Sequence, residues 1–332
     1  RIAPVLMALT FGQSPVAPRQ FSPAVNLETT SETSANVSIG DLDRDGDLDL
    51  VLAKGRHWPL HDRVLLNDGK GVFTASDLGP APDKTYSAVL ADVDGDGDLD
   101  VVTSNDTPDK KLVFLNDGKA KFSVAGTWGA PEWSTRNAAA ADLNGDGRPD
   151  VIAANRPGPS YVCLNDGRGA FPAPCIAIPA PSATTIVAAD FNKDGTIDLA
   201  IPHRDGGQSH IYFNDGRAGF ASTKAFGPAT SAARTAAAGD LNGDGWPDLV
   251  VGDEREGSFV YLNDGKGDLG EPRQIGAKVL VPYAIAIADM NGDGKADVVI
   301  GHVEAPGTVY FNDGTGRRFT EVRFGDNKGA VY

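Results

Sequence analysis

Six nine-residue acidic segments are the parts of this chain whose residue types and spacing are suited to chemistry. Each offers side-chain oxygens at positions one, three, five and nine: Asp41, Asp43, Asp45 and Asp49; Asp92, Asp94, Asp96 and Asp100; Asp142, Asn144, Asp146 and Asp150; Asp190, Asn192, Asp194 and Asp198; Asp240, Asn242, Asp244 and Asp248; Asp289, Asn291, Asp293 and Asp297. The sixth residue is Gly in every copy, which permits a sharp turn and aims the seventh carbonyl toward the same point. That many hard oxygen ligands suit Ca²⁺. The spacing therefore predicts up to six structural calcium ions, with the ninth-position Asp closing each coordination sphere. The twelfth residue, bidentate Glu in a helix-loop-helix site, is here Leu52, Thr103, Ala153, Ile201, Val251 or Ile300, so these are not EF-hands.

The first Asp of successive copies is separated by 51, 50, 48, 50 and 49 residues, a regularity that marks an internal repeat. A second marker follows each loop: Asn67-Asp68-Gly69 and its counterparts at Asn116, Asn165, Asn214, Asn263 and Asn312. Between apolar residues this tripeptide reads as a tight hairpin turn. Small or β-branched runs such as Asn137 to Ala141 precede the loops, and β-type runs such as Leu99 to Ser104 follow them. Alone, the Ala runs read as helix, but the repeat context favours short strands. Each repeat is thus strand A, acidic loop, strand B, loop, strand C, turn, strand D. The fold class is all-β, a propeller of four-stranded blades, with a β-solenoid as the rival.

Six repeats run from about Ala35 to Phe324, leaving 34 residues before and 8 after. Seven-bladed geometry is expected, six complete repeats plus a partial blade, with a six-bladed ring as the alternative. Val5 to Leu9 and Arg19-Gln20-Phe21 match strands C and D of the fifth repeat, and Gly329 to Tyr332 resembles the start of a strand A. Residues 1–20 read equally as a signal-peptide remnant, because Ile2 to Phe11 is apolar and followed by small residues. Residues 21–332 form the single propeller domain.

The chain has 332 residues, 41% hydrophobic, with a formal net charge of −15. That apolar fraction supports a core, and the acidic balance without a basic stripe argues against nucleic acid as partner. Six Ca²⁺ would add 12 charges and bring the net to −3. No apolar run of bilayer length occurs, so no transmembrane helix is expected. Cys163 and Cys175 flank the Asn165 turn unequally, so direct cross-strand pairing would require a bulge; their disulfide state is open, as is the oligomeric state.

Loop and turn recurring in register resemble the FG-GAP or VCBS repeat family, the calcium-loop propellers of integrin α-subunit heads and many bacterial secreted proteins. The resemblance covers about Phe21 to Tyr332. It implies an extracellular or periplasmic location and a binding or adhesion role, though some members act on polysaccharides.

Alternating strands put the acidic loops and Asn-Asp-Gly turns on one face and the B–C and D–A loops on the other. Five residues past each ninth Asp stand Lys54, Asn105, Asn155, His203, Asp253 and His302; the next positions add Asp106, Arg156, Arg204 and Glu254. Six before each first Asp stand Tyr86, Arg136, Thr184, Arg234 and Tyr283. Both sets are expected around the channel mouth. Candidate ligand-binding residues are Trp58, Trp128 and Trp133, for stacking on sugar rings, with His57, Arg136, Arg156, His203 and Arg204 for polar and anionic groups. The leading reading is a binding module for carbohydrate or an extracellular protein. The alternative is a polysaccharide lyase, with His203, His302, Tyr86 or Tyr283 as base and Arg136 or Arg156 neutralising a uronate. No nucleophile elbow, phosphate-binding glycine loop or zinc spacing is present.

Overall fold

A computed structural model describes Phe21, residues 26–28, 30 and 32–325. Every regular element among them is a strand, and the 24 strands form six four-stranded antiparallel sheets, each in sequence order. The sheets are blades at residues 34–77, 85–128, 135–178, 187–231, 233–275 and 282–324, set around a central channel as a six-bladed propeller. Six is the alternative that the repeat arithmetic left beside seven. The seven-blade expectation is corrected to that extent: the segments assigned to a partial blade lie outside the described residues, except Phe21. No helix among the described residues is long and apolar enough to cross a membrane.

The Ala-rich runs are the innermost strands, Thr135–Ala141 in blade 3 and Ala233–Gly239 in blade 5 among them. Small side chains suit this position because strands of all blades converge there. The Asn-Asp-Gly turns are wider than two residues: Asp68 N–H closes onto Val72 O at 3.1 Å, with Gly69 and Gly71 both at positive φ.

The core is not one mass. Five apolar clusters occur among the described residues, each between neighbouring blades from 1–2 through 5–6. The loop residue at position two is a plug in each: Leu42, Val93, Leu143, Phe191 and Leu241 are all at most 1% exposed. The turn Asn then locks blade to blade. Its side-chain N–H donates to the plug carbonyl of the preceding blade: Asn116 to Leu42 at 2.8 Å, Asn165 to Val93 at 2.9 Å, Asn214 to Leu143 at 2.9 Å, Asn263 to Phe191 at 2.8 Å and Asn312 to Leu241 at 2.6 Å. Asn67 donates to Leu48 O of its own blade.

Cys163 and Cys175 are disulfide-bonded, with Cα atoms 4.4 Å apart. No bulge is needed. Val162 pairs with Ile176, so the two cysteines stand directly opposite at the next rung. The longer C–D loop of blade 3, containing Pro172 and Pro174, absorbs the unequal spacing.

The blade lock predicts a position-dependent cost. Asn214→Ala strips partners from the buried Leu143 and Ile197 carbonyls and is expected to cost about 2 kcal/mol in denaturant melts. Asn67→Ala should cost less than half as much. Equal losses at the two positions would show that the cross-blade bond contributes nothing.

Candidate functional site

The loop face is built on its ninth-position carboxylates, all six of which are fully buried. Each accepts two backbone N–H bonds: Asp49 from Leu42 and Asn67 at 2.9 and 2.8 Å, Asp248 from Leu241 and Asn263 at 2.9 and 2.8 Å. These residues therefore tie the loop start to the turn in addition to any ligand role. Burial pushes Asp100, Asp198 and Asp248 up to about 6 against the lowering effect of those N–H groups. The first Asp accepts the N–H of the Gly at position six, as in Asp41 with Gly46 at 3.1 Å and Asp240 with Gly245 at 2.8 Å.

Carboxylate oxygens of Asp41, Asp43 and Asp49 lie within 4.8 Å of one another, as do those of Asp92, Asp94 and Asp100. Oxygens no farther apart than this can share one cation at bonds near 2.4 Å. The loops of blades 3 to 5 are built differently. Asn144, Asn192 and Asn242 each donate a side-chain N–H to the Asp two residues on, at 3.0, 2.9 and 2.8 Å. In blade 3 the guanidinium of Arg148 also lies on Asp146 at 2.6 Å.

On the opposite face the channel opens into a cavity of about 1080 Å³. Arg136, Arg234, Tyr86 and Tyr283 reach it from the starts of inner strands, while Arg56, Arg156 and Arg204 reach it from turns after strand B. Carboxylates outside the cavity lining fix the guanidiniums. Asp106 holds Arg136 at 3.1 Å, Asp205 takes Arg156 in a two-bond fork, and Glu254 holds both Arg204 at 2.7 Å and Arg234 at 2.5 Å. The fork holds Asp205 below the usual carboxylate range and pushes Arg156 up. Arg136 lies over the Tyr86 ring at 4.3 Å and Arg234 over Tyr283 at 3.5 Å, while Arg56 is near both rings at 5.4 and 5.7 Å. Arg56 also joins blade 1 to blade 6 at the mouth.

Tyr86 Oη lies 3.2 Å from His57 Nδ1. Burial, then the charges of Arg56 and Arg136, lower the His57 pKa and favour the neutral ring; burial raises that of Tyr86. A Tyr, a His and an Arg are therefore in contact at the mouth, a proximity that spacing alone did not establish.

Other expected site residues lie elsewhere. Lys54, Asn105, Asn155, Asp253 and His302 are at most 4% exposed and do not line the mouth. Several of them staple the turn after strand B: Asn105 donates to Lys110 O, Asn155 to Pro159 O, and His302 Nδ1 lies 2.9 Å from Pro306 O. His203 packs beside Gly207, outside the cavity lining. Trp128 is buried in the blade 2–3 cluster and donates to Thr103 O at 2.9 Å. Trp133 is half-buried and stacks on Tyr161 at 4.0 Å. Trp58 is 62% exposed beside His57, outside the cavity.

Three features escaped the repeat arithmetic. Arg56 is displaced by Gly55, whose φ is +97°, so it sits one residue out of register with Arg156 and Arg204. Asp205 carried no spacing signal. The third is the pairing of Lys54, a position the spacing did single out, with Glu28 at 2.7 Å and Glu32 at 2.9 Å.

A model of the FG-GAP-like repeat matches residues 41–103, 102–153, 142–201, 190–251 and 240–300. Among solved structures the chain is similar to the BP39L lectin from Burkholderia pseudomallei, with 15% identity and a TM-score of 0.71 over 88% of this chain and 84% of that one. It is also similar to BBS1N from a complex with ARL6DN, at 11% identity and a TM-score of 0.59 over 89% of this chain and 81% of that one. At such identities the likeness is one of fold. No curated protein matches the chain. The acidic loop and the Asn-Asp-Gly turn are thus the two halves of one repeating unit, and the chain belongs to the FG-GAP-like repeat family.

Proposed function

We propose that this propeller is a binding module for an acidic ligand, most simply an anionic polysaccharide, held at the channel mouth opposite the acidic loops. The observation that carries the reading is the set of five arginines lining one cavity, four of them latched from behind by Asp106, Asp205 or Glu254. A guanidinium held in place loses little freedom on pairing with a carboxylate or sulfate. On a chain of net charge −15, a concentration of cationic groups at a concave site is selective for anions. Tyr86 and Tyr283 add flat apolar surface, as sugar rings require. An acidic segment of an extracellular protein is the other ligand that fits.

A polysaccharide lyase is the second reading, favoured by the contact of Tyr86 with His57 beneath Arg136. The raised Tyr86 pKa makes its phenolate scarce at neutral pH, so a neutral His57 is the better proton acceptor.

The acidic loops are read as structural Ca²⁺ sites, the all-Asp loops at 41–49 and 92–100 being the tightest. Their oxygen clustering supports this. The Cys163–Cys175 disulfide supports an oxidising compartment outside the cytosol, where calcium is abundant.

Two experiments test these readings. Acidic polysaccharides such as polygalacturonate should be retained and neutral glucans should not, with retention falling as salt rises. Arg136→Ala and Arg204→Ala should each weaken retention about tenfold, the loss of one charge-assisted bond, while Trp58→Ala should change it little. Equal retention of neutral and acidic polymers would remove the arginine site from the account. Release of shortened, unsaturated products, abolished by His57→Ala, would establish the lyase instead. For the loops, EDTA is expected to lower the melting temperature by about 5 °C or more and added Ca²⁺ to restore it. An identical melt with and without chelator would rule out structural calcium.

A further inference from the structure

The channel mouth is laid out as two like halves. In five blades the inner strand begins with a bulge, its second residue dropping out of the pairing with strand B: Ala35, Tyr86, Arg136, Arg234 and Tyr283. A bulge re-aims a side chain, and four of these five bring a large polar side chain to the cavity. Taken around the ring, the lining runs Arg56 from blade 1, Tyr86 from blade 2, Arg136 from blade 3, Thr184 leading into blade 4, Arg234 from blade 5 and Tyr283 from blade 6. A line from Arg56 to Thr184 divides that order into a Tyr-Arg half and an Arg-Tyr half.

Each half is built in the same way. The guanidinium lies over the tyrosine ring of the neighbouring blade, Arg136 on Tyr86 at 4.3 Å and Arg234 on Tyr283 at 3.5 Å. A carboxylate outside the cavity lining holds it there, Asp106 at 3.1 Å and Glu254 at 2.5 Å. The latches are themselves fixed. Asp106 also accepts the hydroxyl of Ser134, just before Arg136. Buried Asp253 accepts the N–H groups of Ala232, Arg255 and Glu256, which ties the turn carrying Glu254 to the chain entering the strand of Arg234. A guanidinium has five donors in one plane; ring and latch set that plane, and Arg136 and Arg234 keep 22% and 14% of the side chain exposed.

The halves also share a centre. Arg56 lies 5.4 Å from the Tyr86 ring and 5.7 Å from the Tyr283 ring, and one cavity of about 1080 Å³ contains both halves. On the far side Asn137, Thr185 and Thr235 line the cavity between the two arginines. Glu28 and Glu32, also in the lining, are paired with Lys54.

We propose that the mouth takes two acidic groups of one ligand at once, one at Arg136–Tyr86 and one at Arg234–Tyr283. Its ligand is then an oligouronide with at least two acidic residues rather than a single acidic sugar. This rests on the acidic-polysaccharide reading of the cavity and adds a minimum length and charge to it. The amide and hydroxyl side chains between the arginines favour a sugar chain, with hydroxyls between its acids, over an acidic peptide. Once one acid is bound, the tethered second acid meets its station at high effective concentration, so two weak sites act as one stronger site.

The test is calorimetric titration of the whole chain with galacturonate, trigalacturonate and triglutamate. The parent chain should bind two galacturonates weakly but one trigalacturonate, about tenfold or more tighter. Arg136→Ala and Arg234→Ala should each keep one galacturonate site, which reports that the fold persists, and each should lose the gain of the trimer. Where an alanine variant binds neither ligand, the parent stoichiometry of two monomers against one trimer decides by itself. A single galacturonate site in the parent chain, or a trimer no tighter than the monomer, overturns the two-station proposal while the acidic-polysaccharide reading stands. So does a gain that survives either substitution. Preference for triglutamate over trigalacturonate overturns it in favour of an acidic peptide. Failure of the parent chain to retain even polygalacturonate removes the underlying reading, and this inference with it.

Discussion

Everything on the loop face depends on one buried carboxylate per repeat. The ninth-position Asp sits at zero exposure and is stable there because each of its oxygens accepts a backbone N–H, one from the plug residue of the acidic loop and one from the turn Asn. A buried charge without such partners would cost several kcal/mol. With them, the carboxylate becomes the pin that joins strand A, strand B and the C–D turn of a blade. The pin also fixes where the plug carbonyl points, which is toward the next blade. There the following Asn takes it, so a bond within one blade prepares the bond between two.

That arrangement explains why six repeats of modest similarity form one object. Each blade buries its apolar face only by leaning on a neighbour, as in other repeat architectures, and the Asn bond fixes the distance and angle at which it leans. Five junctions use the device. Among the described residues the sixth shows contacts of another kind: Arg56 near Tyr283, Phe21 against Phe324 and Glu28 on Lys54.

The two faces divide the labour electrostatically. Carboxylates accumulate on the loop face, where clustering them is tolerable if a divalent cation offsets their repulsion. Guanidiniums accumulate at the other end of the channel, where carboxylates outside the cavity orient them. The blades separate the acidic loops from the five arginines of the mouth, where Glu28 and Glu32 also line the cavity.

The repeat, the all-β class, the four-strand unit and the two-faced layout were legible in the residues, because each follows from local spacing: Asp at fixed offsets, Gly where φ must be positive, Asn-Asp-Gly between apolar runs. The ring of Tyr86, Arg136, Arg234 and Tyr283 was legible for the same reason, since inner strands repeat in register. What the spacing did not reveal depends on three-dimensional neighbours. The position of Lys54, Asn105, Asn155 and His302 looked like a mouth because it is polar at a strand end, yet Asn105, Asn155 and His302 fold back onto their own turns, Lys54 reaches Glu28 and Glu32, and all four are buried. Trp128 looked available and is core, because a tryptophan at the end of strand D is covered by the next blade. The proximity of Arg56 to both tyrosines and the unlike sixth junction arise only on ring formation, while the pairing of Cys163 with Cys175 is set by the strand register within blade 3. Local chemistry repeats with the sequence, but which side chains meet across a closed ring is decided by where the ends of the blades come together.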